Sequence, residues 1–253
     1  MRKLVGSIAR RTLPRPVLAA YRNFRAARLP TEEVFTRIYS QNEWGGNPGE
    51  FYSGSGSGQV AATAPYVAQI RRELASLNAH QLRMVDLGCG DFRIGEQLAP
   101  ACAYYVGVDI VQPLIEHHQS RFGSERVSFV HANMIEDPLP AGDICCVRQV
   151  LQHLSNAQIR AVLPKLDQYR WCFITEHHPS DGHLRAKNLD KVHGKDVRVT
   201  QGSGVFLEAS PFNIPEHRYR WLFDVPGPVD LGNGDAGVIR TFLLTTSRSD
   251  PAR

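Results

Sequence analysis

The sequence predicts an α/β protein with a doubly wound, mostly parallel seven-stranded sheet and an antiparallel hairpin at its C-terminal end. Two observations support this fold class. From Leu82 onwards, short apolar runs typical of buried strands alternate with segments of helical periodicity. Two further apolar runs then flank a turn-rich segment near the C-terminus. Alternating strands and helices are typical of parallel sheets covered by helices on both faces.

The elements follow in order from the positions of apolar residues and of helix and turn signals. Predicted strands span 83–87, 104–109, 126–130, 143–147, 170–176, 219–225 and 237–245, the last two joined through the turn-rich segment 226–236. Predicted helices span 17–28, 34–39, 61–77, 94–98, 111–121 and 156–166, and the Gly/Ser/Asn-rich segment 42–58 is predicted to be loop. We expect a basic N-terminal arm (1–30), a lid or linker (31–60) and one domain (61–247) with an insertion at 177–215.

Composition excludes several classes of protein. Of 253 residues, 42% are hydrophobic and 21% charged, which is ordinary for a globular domain and enough for a substantial core. There is no run of about 18 apolar residues, the length needed for a membrane-spanning helix. The five cysteines form no Cys-x-x-Cys pair, and two lie in an apolar run. We therefore expect reduced thiols and a cytoplasmic protein.

The net charge of +4 is unevenly distributed. Residues 1–31 contain eight basic residues and no acidic one, so the remainder carries 21 basic and 25 acidic residues. Such an arm can contact an anionic membrane surface, nucleic acid or an acidic partner. A solvated, partly helical leader explains the same pattern, and both interpretations stay open.

The segment with the clearest chemistry is Asp86-Leu87-Gly88-Cys89-Gly90, which follows an apolar strand and precedes a helix. Two glycines permit a tight turn and let a ligand approach the backbone. A second carboxylate, Asp109, ends the next predicted strand 19 residues after Gly90, where an acid commonly binds ribose hydroxyls. The pair indicates an adenosine-containing cofactor. Because Arg93 replaces the third glycine of a dinucleotide fingerprint, NAD is disfavoured.

The motif Asp86-x-Gly88-x-Gly90 with Asp109 resembles the first two cofactor motifs of class I S-adenosylmethionine-dependent methyltransferases, which have a Rossmann-like fold. The resemblance implies that the glycines line the methionine moiety, that Asp109 binds the ribose and that Ile110 packs on the adenine. The family often has an acid after its third strand, where this chain has Asn133, whose carbonyl can still accept a bond from the adenine amino group. The implied cofactor-binding residues are Asp86, Gly88, Cys89, Gly90, Asp109, Ile110, Asn133, Met134, Arg148, Trp44 and Gly45.

A narrower resemblance adds the N-terminal segment. Phe35-x-x-Ile38-Tyr39-x-x-Asn42-x-Trp44-Gly45, the Gly/Ser run at 53–57, Cys89-Gly90-Asp91-Phe92 and Val150-Leu151-x-His153-Leu154-Ser155 resemble a subgroup of bacterial methyltransferases. Many of its members are encoded with sugar and surface-polysaccharide biosynthesis. The resemblance implies O-methylation in carbohydrate biosynthesis. The Trp44 loop is then expected to form a lid over the cofactor, although a flexible linker remains the alternative.

Three residues near the predicted carboxyl edge of the sheet are candidates for catalysis. His153 follows the fourth strand, and Glu176 and His177 end the fifth. A neutral imidazole can take the proton of an attacking hydroxyl, so His153 is the candidate general base; a capping or packing role is the alternative. Glu176 and His177 are expected substrate contacts. Histidines nearby lack metal-ligand spacing, so we expect no metal.

Two rival functions are left. The basic arm favours nucleic-acid methylation, such as that of tRNA, but no Asn/Asp-Pro-Pro-Tyr-type motif follows the fourth strand, which leads into Arg148-Gln149-Val150-Leu151. A non-catalytic cofactor-binding or scaffold module would have the same fold. The sequence does not distinguish oligomeric states. We expect a cytoplasmic enzyme with a small-molecule or glycan acceptor. Contact of the basic arm with the inner membrane face is a further option.

Overall fold

A computed structural model describes residues 27–228 and 235–246. Its centre is one seven-stranded sheet in the order β3-β2-β1-β4-β5-β7-β6, in which only β7 runs antiparallel to its two neighbours. The predicted α/β fold class is thereby confirmed, including the antiparallel pair at the C-terminal edge. The strands are β1 Arg83–Leu87, β2 Tyr104–Asp109, β3 Val127–His131, β4 Ile144–Arg148, β5 Trp171–His178, β6 Tyr219–Pro226 and β7 Val238–Thr245.

Six α-helices accompany the sheet in the described part of the chain. They are α1 Thr31–Ser40, α2 Ser55–Gly58, α3 Val60–Ser76, α4 Gly95–Leu98, α5 Gln112–Phe122 and α6 Asn156–Val162. A capping box starts α6, because Ser155 and Gln158 each bind the other's backbone N–H. The helix predicted at 156–166 continues beyond Val162 only as a 3-10 turn, Leu163–Gln168, whose first turn contains a proline without an N–H.

Helix α2 corrects the prediction that 42–58 is entirely loop. Gly54 takes a φ of 88°, which turns the chain, and the backbone N–H of Gly58 then donates to the carbonyl of Gly54 at 3.0 Å. Arg148, on β4, donates a hydrogen bond to the carbonyl of Gly56 and so stabilises this single helical turn. Composition alone missed this element because a distant side chain stabilises it.

The central strands are buried on both faces, and the parallel register sets the position of the site. Met84, Val85 and Leu87 of β1 have no exposed surface, as expected for a strand covered by helices on both faces. Leu87 pairs with Val108 of β2 and with Val147 of β4. The segments that follow these three strands therefore emerge side by side at one edge of the sheet.

Some expectations lie outside the described residues. The structure does not describe residues 1–26, which include most of the basic arm and of the predicted helix 17–28. It also does not describe residues 229–234, in the turn between the last two strands. Within the described ranges, no helix combines the length and the apolar character needed to cross a membrane.

Candidate active site

A cleft of about 230 Å³ opens at the carboxyl edge of the sheet. Segments that follow β1, β2 and β3 line one side of it, and we call Gly88, Gly90, Asp109, Ile110 and Asn133 the cofactor side. Segments that follow β4 and β5, together with parts of the chain that cover them, line the other. We call Phe35, Trp44, Gln152, His153 and Lys195 the acceptor side. Ligands of doubly wound sheets bind at this edge.

The glycine turn of the cofactor side is closely packed and depends on its two glycines. Gly88 and Gly90 have φ values of 76° and 53°, in the region that favours glycine. A Cβ on Gly88 would lie 2.4 Å from Cγ2 of Val150, and one on Gly90 would lie 2.5 Å from Oγ of Ser53. Neither position accommodates a side chain unless Val150 or Ser53 is displaced.

Asp86 lies buried beneath this turn. Its Oδ2 accepts a hydrogen bond of 2.6 Å from the hydroxyl of Tyr105. Burial raises the pKa of Asp86 to about 6, although the Tyr105 bond and the Arg148 charge act in the opposite direction. A nearby cationic group would stabilise the ionised form, so the site favours a positively charged ligand atom.

Asp109 ends β2 at the cleft wall. Its Oδ2 accepts from the backbone N–H of Gly90 at 3.1 Å, and its Oδ1 accepts from that of Val111 at the same distance. Burial raises its pKa, and these backbone bonds oppose the shift. A carboxylate has about four acceptor positions, so two remain for ligand hydroxyl groups. Cys89, Ile110, Asn133 and Met134 line the same cleft, as expected.

Asn133 is held in a local turn. Its Oδ1 accepts from the backbone N–H of Ile135 at 3.0 Å, and its own backbone N–H donates to Asp137 at 2.8 Å. The amide carbonyl predicted to bind an adenine amino group thus already has one partner, with one lone pair free.

The Gly/Ser segment is fastened onto the glycine turn by a reciprocal pair of hydrogen bonds. The backbone N–H of Ser53 donates to Oδ2 of Asp91 at 3.0 Å, and the backbone N–H of Asp91 donates to Oγ of Ser53 at 2.8 Å. Tyr39 of α1 shares a 2.8 Å hydrogen bond with the same Ser53 hydroxyl. We call this arrangement the Ser53–Asp91 clasp. It covers the cleft from the N-terminal side.

Trp44 and Gly45 have different positions, although both were predicted to bind the cofactor. Trp44 lines the cleft within an aromatic cluster, 5.2 Å from the ring of Tyr39 and 5.3 Å from that of His153. Gly45 is exposed and lies against the ring of Tyr52, away from the cleft. Its φ of 100° lies in the region that favours glycine, and because Gly45 does not line the cleft, the structure does not place it where a cofactor contact was predicted.

Arg148 connects the end of β4 to α2 and α3. Its guanidinium donates to the carbonyl of Gly56 at 2.7 Å and to Oγ of Ser57 at 3.3 Å, and it stacks 4.7 Å from the ring of Tyr66. Its Nε is buried without a partner in the described part of the chain. Burial lowers its pKa, yet the nearby tyrosine and carboxylates favour the charged form. The unused donor and the charge suit an anionic ligand group.

His153 stands on the acceptor side with a defined tautomer. Its Nδ1 lies 3.1 Å from the carbonyl of Gly194, which can only accept, so Nδ1 carries the hydrogen and Nε2 does not. Burial and the Lys191 charge lower its pKa to about 3. The ring is therefore neutral at physiological pH and presents a bare nitrogen.

Glu176 and His177 were expected as substrate contacts, and only one of them lines the cleft. His177 does so, and its Nε2 is 2.8 Å from the carbonyl of Ala236. Glu176 is buried behind the wall, where its carboxyl oxygens accept from the backbone N–H groups of Leu151 and Gln152 at 2.8 and 3.1 Å. Burial raises its pKa to about 8. Its role is to hold the turn that carries His153, a correction to the expected contact.

The sequence interpretation missed several residues of the cleft. Ser53 and Asp91 belong to motifs that the resemblance includes, and their pairing across 38 positions could not be derived from spacing. Lys195 and Val197 arrive from the insertion, whose backbone at Gly194 bonds the backbone of His153 at 3.0 Å. Across the described ranges, no group of three or more His, Cys, Asp or Glu residues is arranged to hold a metal.

Comparisons with known proteins agree with this geometry. Residues 84–169 match a family model described as a methyltransferase domain, a range that contains the glycine turn, Asp109 and His153. Uncharacterized methyltransferases of Mycobacterium bovis and Mycobacterium tuberculosis are 31% identical over 77 residues, 30% of this chain. The chain spans 39% of the length of these curated relatives. The matched range is thus similar to a methyltransferase domain.

Solved structures share the fold at low identity. Magnesium protoporphyrin IX methyltransferase from Synechocystis PCC 6803 superposes with a TM-score of 0.53 at 14% identity, over 86% of this chain and 98% of that one. The methyltransferase domain of bacterial CtHen1 gives a TM-score of 0.50 at 14% identity, over 74% and 100%. These similarities establish the Rossmann-like fold.

Proposed function

We propose that this protein transfers a methyl group from S-adenosylmethionine to a hydroxyl of a small molecule or glycan, with His153 as the general base. One observation supports the proposal above all others. The glycine turn and Asp109 line the same cleft as His153, a neutral histidine whose Nδ1 is bonded to the carbonyl of Gly194. Cofactor-binding groups and a candidate proton acceptor are thus within one cleft.

The residues present fit the cofactor. Gly88 and Gly90 line the cleft without a side chain that would narrow it, and Asp109 has acceptor positions left for two ribose hydroxyls. Asp86 favours the positive charge of the cofactor's amino end, and the buried, unpartnered Nε of Arg148 suits its carboxylate. When bound, the cofactor supplies a methyl group on a positively charged sulfur.

The protein must then align the acceptor and exclude water. The Ser53–Asp91 clasp closes one side of the cleft, and the indole N–H of Trp44 donates to the carbonyl of Lys195 at 3.5 Å. The N-terminal cover and the insertion thus meet above the acceptor side. This contact is the reason to assign the covering segment as a lid rather than a linker.

His153 removes the acceptor's proton in this proposal. The Nδ1–H of His153 donates to the carbonyl of Gly194, so Nε2 is the nitrogen that can accept a proton. Because the pKa of His153 is lowered to about 3, the base form persists throughout the physiological pH range, although its intrinsic basicity is modest. Its contribution is expected to lie toward the lower end of general-base effects, about 10²-fold.

The acceptor class rests on the resemblance of the lid and cleft motifs to methyltransferases encoded with sugar and surface-polysaccharide biosynthesis. We therefore favour a bacterial sugar or polysaccharide intermediate, modified in the cytoplasm. The basic segment 1–31 favours a second candidate, tRNA methylation, and equally an enzyme whose arm contacts the anionic inner membrane face.

The experiment uses the full chain and S-adenosylmethionine with a radiolabelled methyl group. Label should pass to nucleotide sugars or glycosides and not to bulk tRNA, and the rate of transfer should fall about 10²-fold with His153→Ala. Transfer to tRNA alone would replace the sugar proposal by the second candidate. Tight cofactor binding with no transfer to any hydroxyl compound, phenol, carboxylate, amine or tRNA would instead favour a non-catalytic module.

A further inference from the structure

The 3-10 turn Leu151–His153 presents two consecutive polar side chains to the cleft. Both Gln152 and His153 line it, and the turn is fixed from behind by the buried carboxyl group of Glu176. Two backbone N–H groups that would otherwise point into the core are thereby satisfied. The positions of the two side chains are consequently set by the fold before any ligand binds.

Gln152 has an unused hydrogen-bond acceptor. Its side chain is 4% exposed, its Nε2 donates to the carbonyl of Gln149 at 3.3 Å, and its Oε1 has no partner within the described ranges. The Nε2 bond to a carbonyl fixes the orientation of the amide, since the opposite orientation would set two acceptors against each other. A buried acceptor without a partner is unfavourable, so a ligand donor that bonds to it is stabilising.

His153 adds a second acceptor on the same turn. Its Nδ1–H is committed to the carbonyl of Gly194, which leaves Nε2 as an acceptor. The rings of Phe35 and Trp44 lie 6.4 and 5.3 Å from its own and form an apolar wall beside it. Two acceptors on consecutive residues, beside aromatic rings, match a compact ligand that carries two donors and an apolar face.

Of the cations near this turn, Arg148 lines the cleft and is assigned above to the carboxylate of the cofactor, and three others are already paired. Lys195 lies 3.1 Å from Glu43, Lys191 donates to the carbonyl of His153 at 3.2 Å, and Arg198 donates to the carbonyls of Leu189 and Leu154. None of these three charges is directed to an anion in the cleft. A carboxylate group of a ligand next to Oε1 of Gln152 and Nε2 of His153 would face two acceptors and be repelled.

We propose that Gln152 and His153 bind two neighbouring hydroxyls of a neutral acceptor, His153 at the hydroxyl to be methylated and Gln152 at the one beside it. Gln152 is thus a specificity-determining residue, and the acceptor class is a vicinal diol such as a pyranoside rather than a carboxylic acid. This inference rests on the proposed function and narrows its substrate.

The test measures binding to the protein saturated with S-adenosylhomocysteine, by saturation-transfer NMR. The probes are the methyl α-D-pyranosides of mannose, glucose and galactose, with benzoate as the anionic comparator. The variant is Gln152→Met, which keeps the length of the side chain and removes its amide. Gln97→Met is the matched control, because the Gln97 amide also donates to a backbone carbonyl, that of Arg93, but lies outside the cleft.

At least one pyranoside should bind the wild type and the Gln97→Met variant alike, with affinity about tenfold weaker in Gln152→Met and no binding of benzoate. Binding of S-adenosylhomocysteine, followed by calorimetry, should be equal in all three proteins. Equal pyranoside binding by Gln152→Met, binding of benzoate, or no pyranoside binding at all would overturn the inference while leaving cofactor binding intact. Absence of S-adenosylhomocysteine binding would instead contradict the proposed function itself.

Discussion

The two sides of the cleft are built in different ways. The cofactor side consists of the ends of β1 and β2 and short segments after β1, β2 and β3, and its groups lie close together in sequence, within 86–91, 108–110 and 132–135. The acceptor side combines residues from α1, the Trp44 loop, the turn after β4 and the insertion. The first is a local motif placed by strand register, and the second forms only when distant segments pack together.

The largest effect is expected when the Asp109 carboxylate is removed from the cofactor side. Asp109→Ala should weaken the binding of S-adenosylhomocysteine about 10³-fold, because two charge-assisted hydrogen bonds to ribose contribute roughly 1.5–3 kcal/mol each. Calorimetric titration measures the affinity. Asp143→Ala is the matched control, since Asp143 also accepts from a backbone N–H, that of Arg83, at the opposite end of the sheet. Equal losses in both variants would remove the ribose assignment.

This contrast explains what the sequence could and could not predict. The ends of β1 and β2, at Leu87 and Asp109, agree with prediction. Apolar runs and nearby glycines mark these strand ends in the local sequence. Glu176 was misassigned because its sequence position at a strand end matches that of a ligand contact, whereas its burial depends on how the Leu151–His153 turn packs above it. Sequence spacing contains no information about that packing.

A second prediction sharpens the comparison on the acceptor side. His153→Ala should lower kcat about 10²-fold and leave cofactor affinity unchanged, because the ring acts on the acceptor and not on the cofactor. Steady-state kinetics and calorimetry measure the two quantities. An unaltered kcat would rule out His153 as the general base. A parallel loss of cofactor affinity would show that His153 contacts the cofactor and not the acceptor.

The same residue predicts a pH profile. Because the pKa of His153 is lowered to about 3, protonation removes the base only near that pH. The kcat of the wild type should therefore show no break near pH 6.5, the ordinary value for histidine. A loss of activity with an apparent pKa near 6.5 that disappears in His153→Gln would contradict the buried, neutral ring.

The end of β5 supplies a stability prediction of intermediate size. His178 is 1% exposed, packs 4.7 Å from the ring of Phe206, and has no partner for either ring nitrogen in the described residues. Burial and the Arg240 charge lower its pKa to about 3, whereas the unfolded chain binds the proton near pH 6.5. The unfolded state therefore binds more protons below pH 6.5, and the native state loses stability as pH falls toward 3.

His178→Leu should accordingly be more stable than the wild type, with the advantage growing by about 2 kcal/mol between pH 7.5 and pH 5. Urea unfolding at both pH values measures the difference. His80→Leu, at an exposed position, is the matched substitution. A stability difference that is the same at both pH values would show that His178 does not titrate as a buried neutral group.

The smallest expected effect tests the connection between the two sides. Ser53→Ala removes the hydroxyl that binds Asp91 and Tyr39, so the clasp loses two hydrogen bonds. Affinity for S-adenosylhomocysteine should fall about fivefold, the effect of roughly 1 kcal/mol. Ser40→Ala, which removes a hydroxyl bond to the carbonyl of Arg37 on the surface of α1, should leave the affinity unchanged. Equal affinities in both variants would mean that the clasp does not cover the cofactor.

The central claim is that the glycine turn and Asp109 hold an adenosyl cofactor opposite His153. A crystal structure of the protein with S-adenosylhomocysteine tests it most directly. The account predicts ribose hydroxyls on the Asp109 carboxylate, adenine beside Ile110 and the sulfur facing the Gln152–His153 side. A ligand bound elsewhere, or a cleft closed by side chains with no nucleoside in it, would contradict the account.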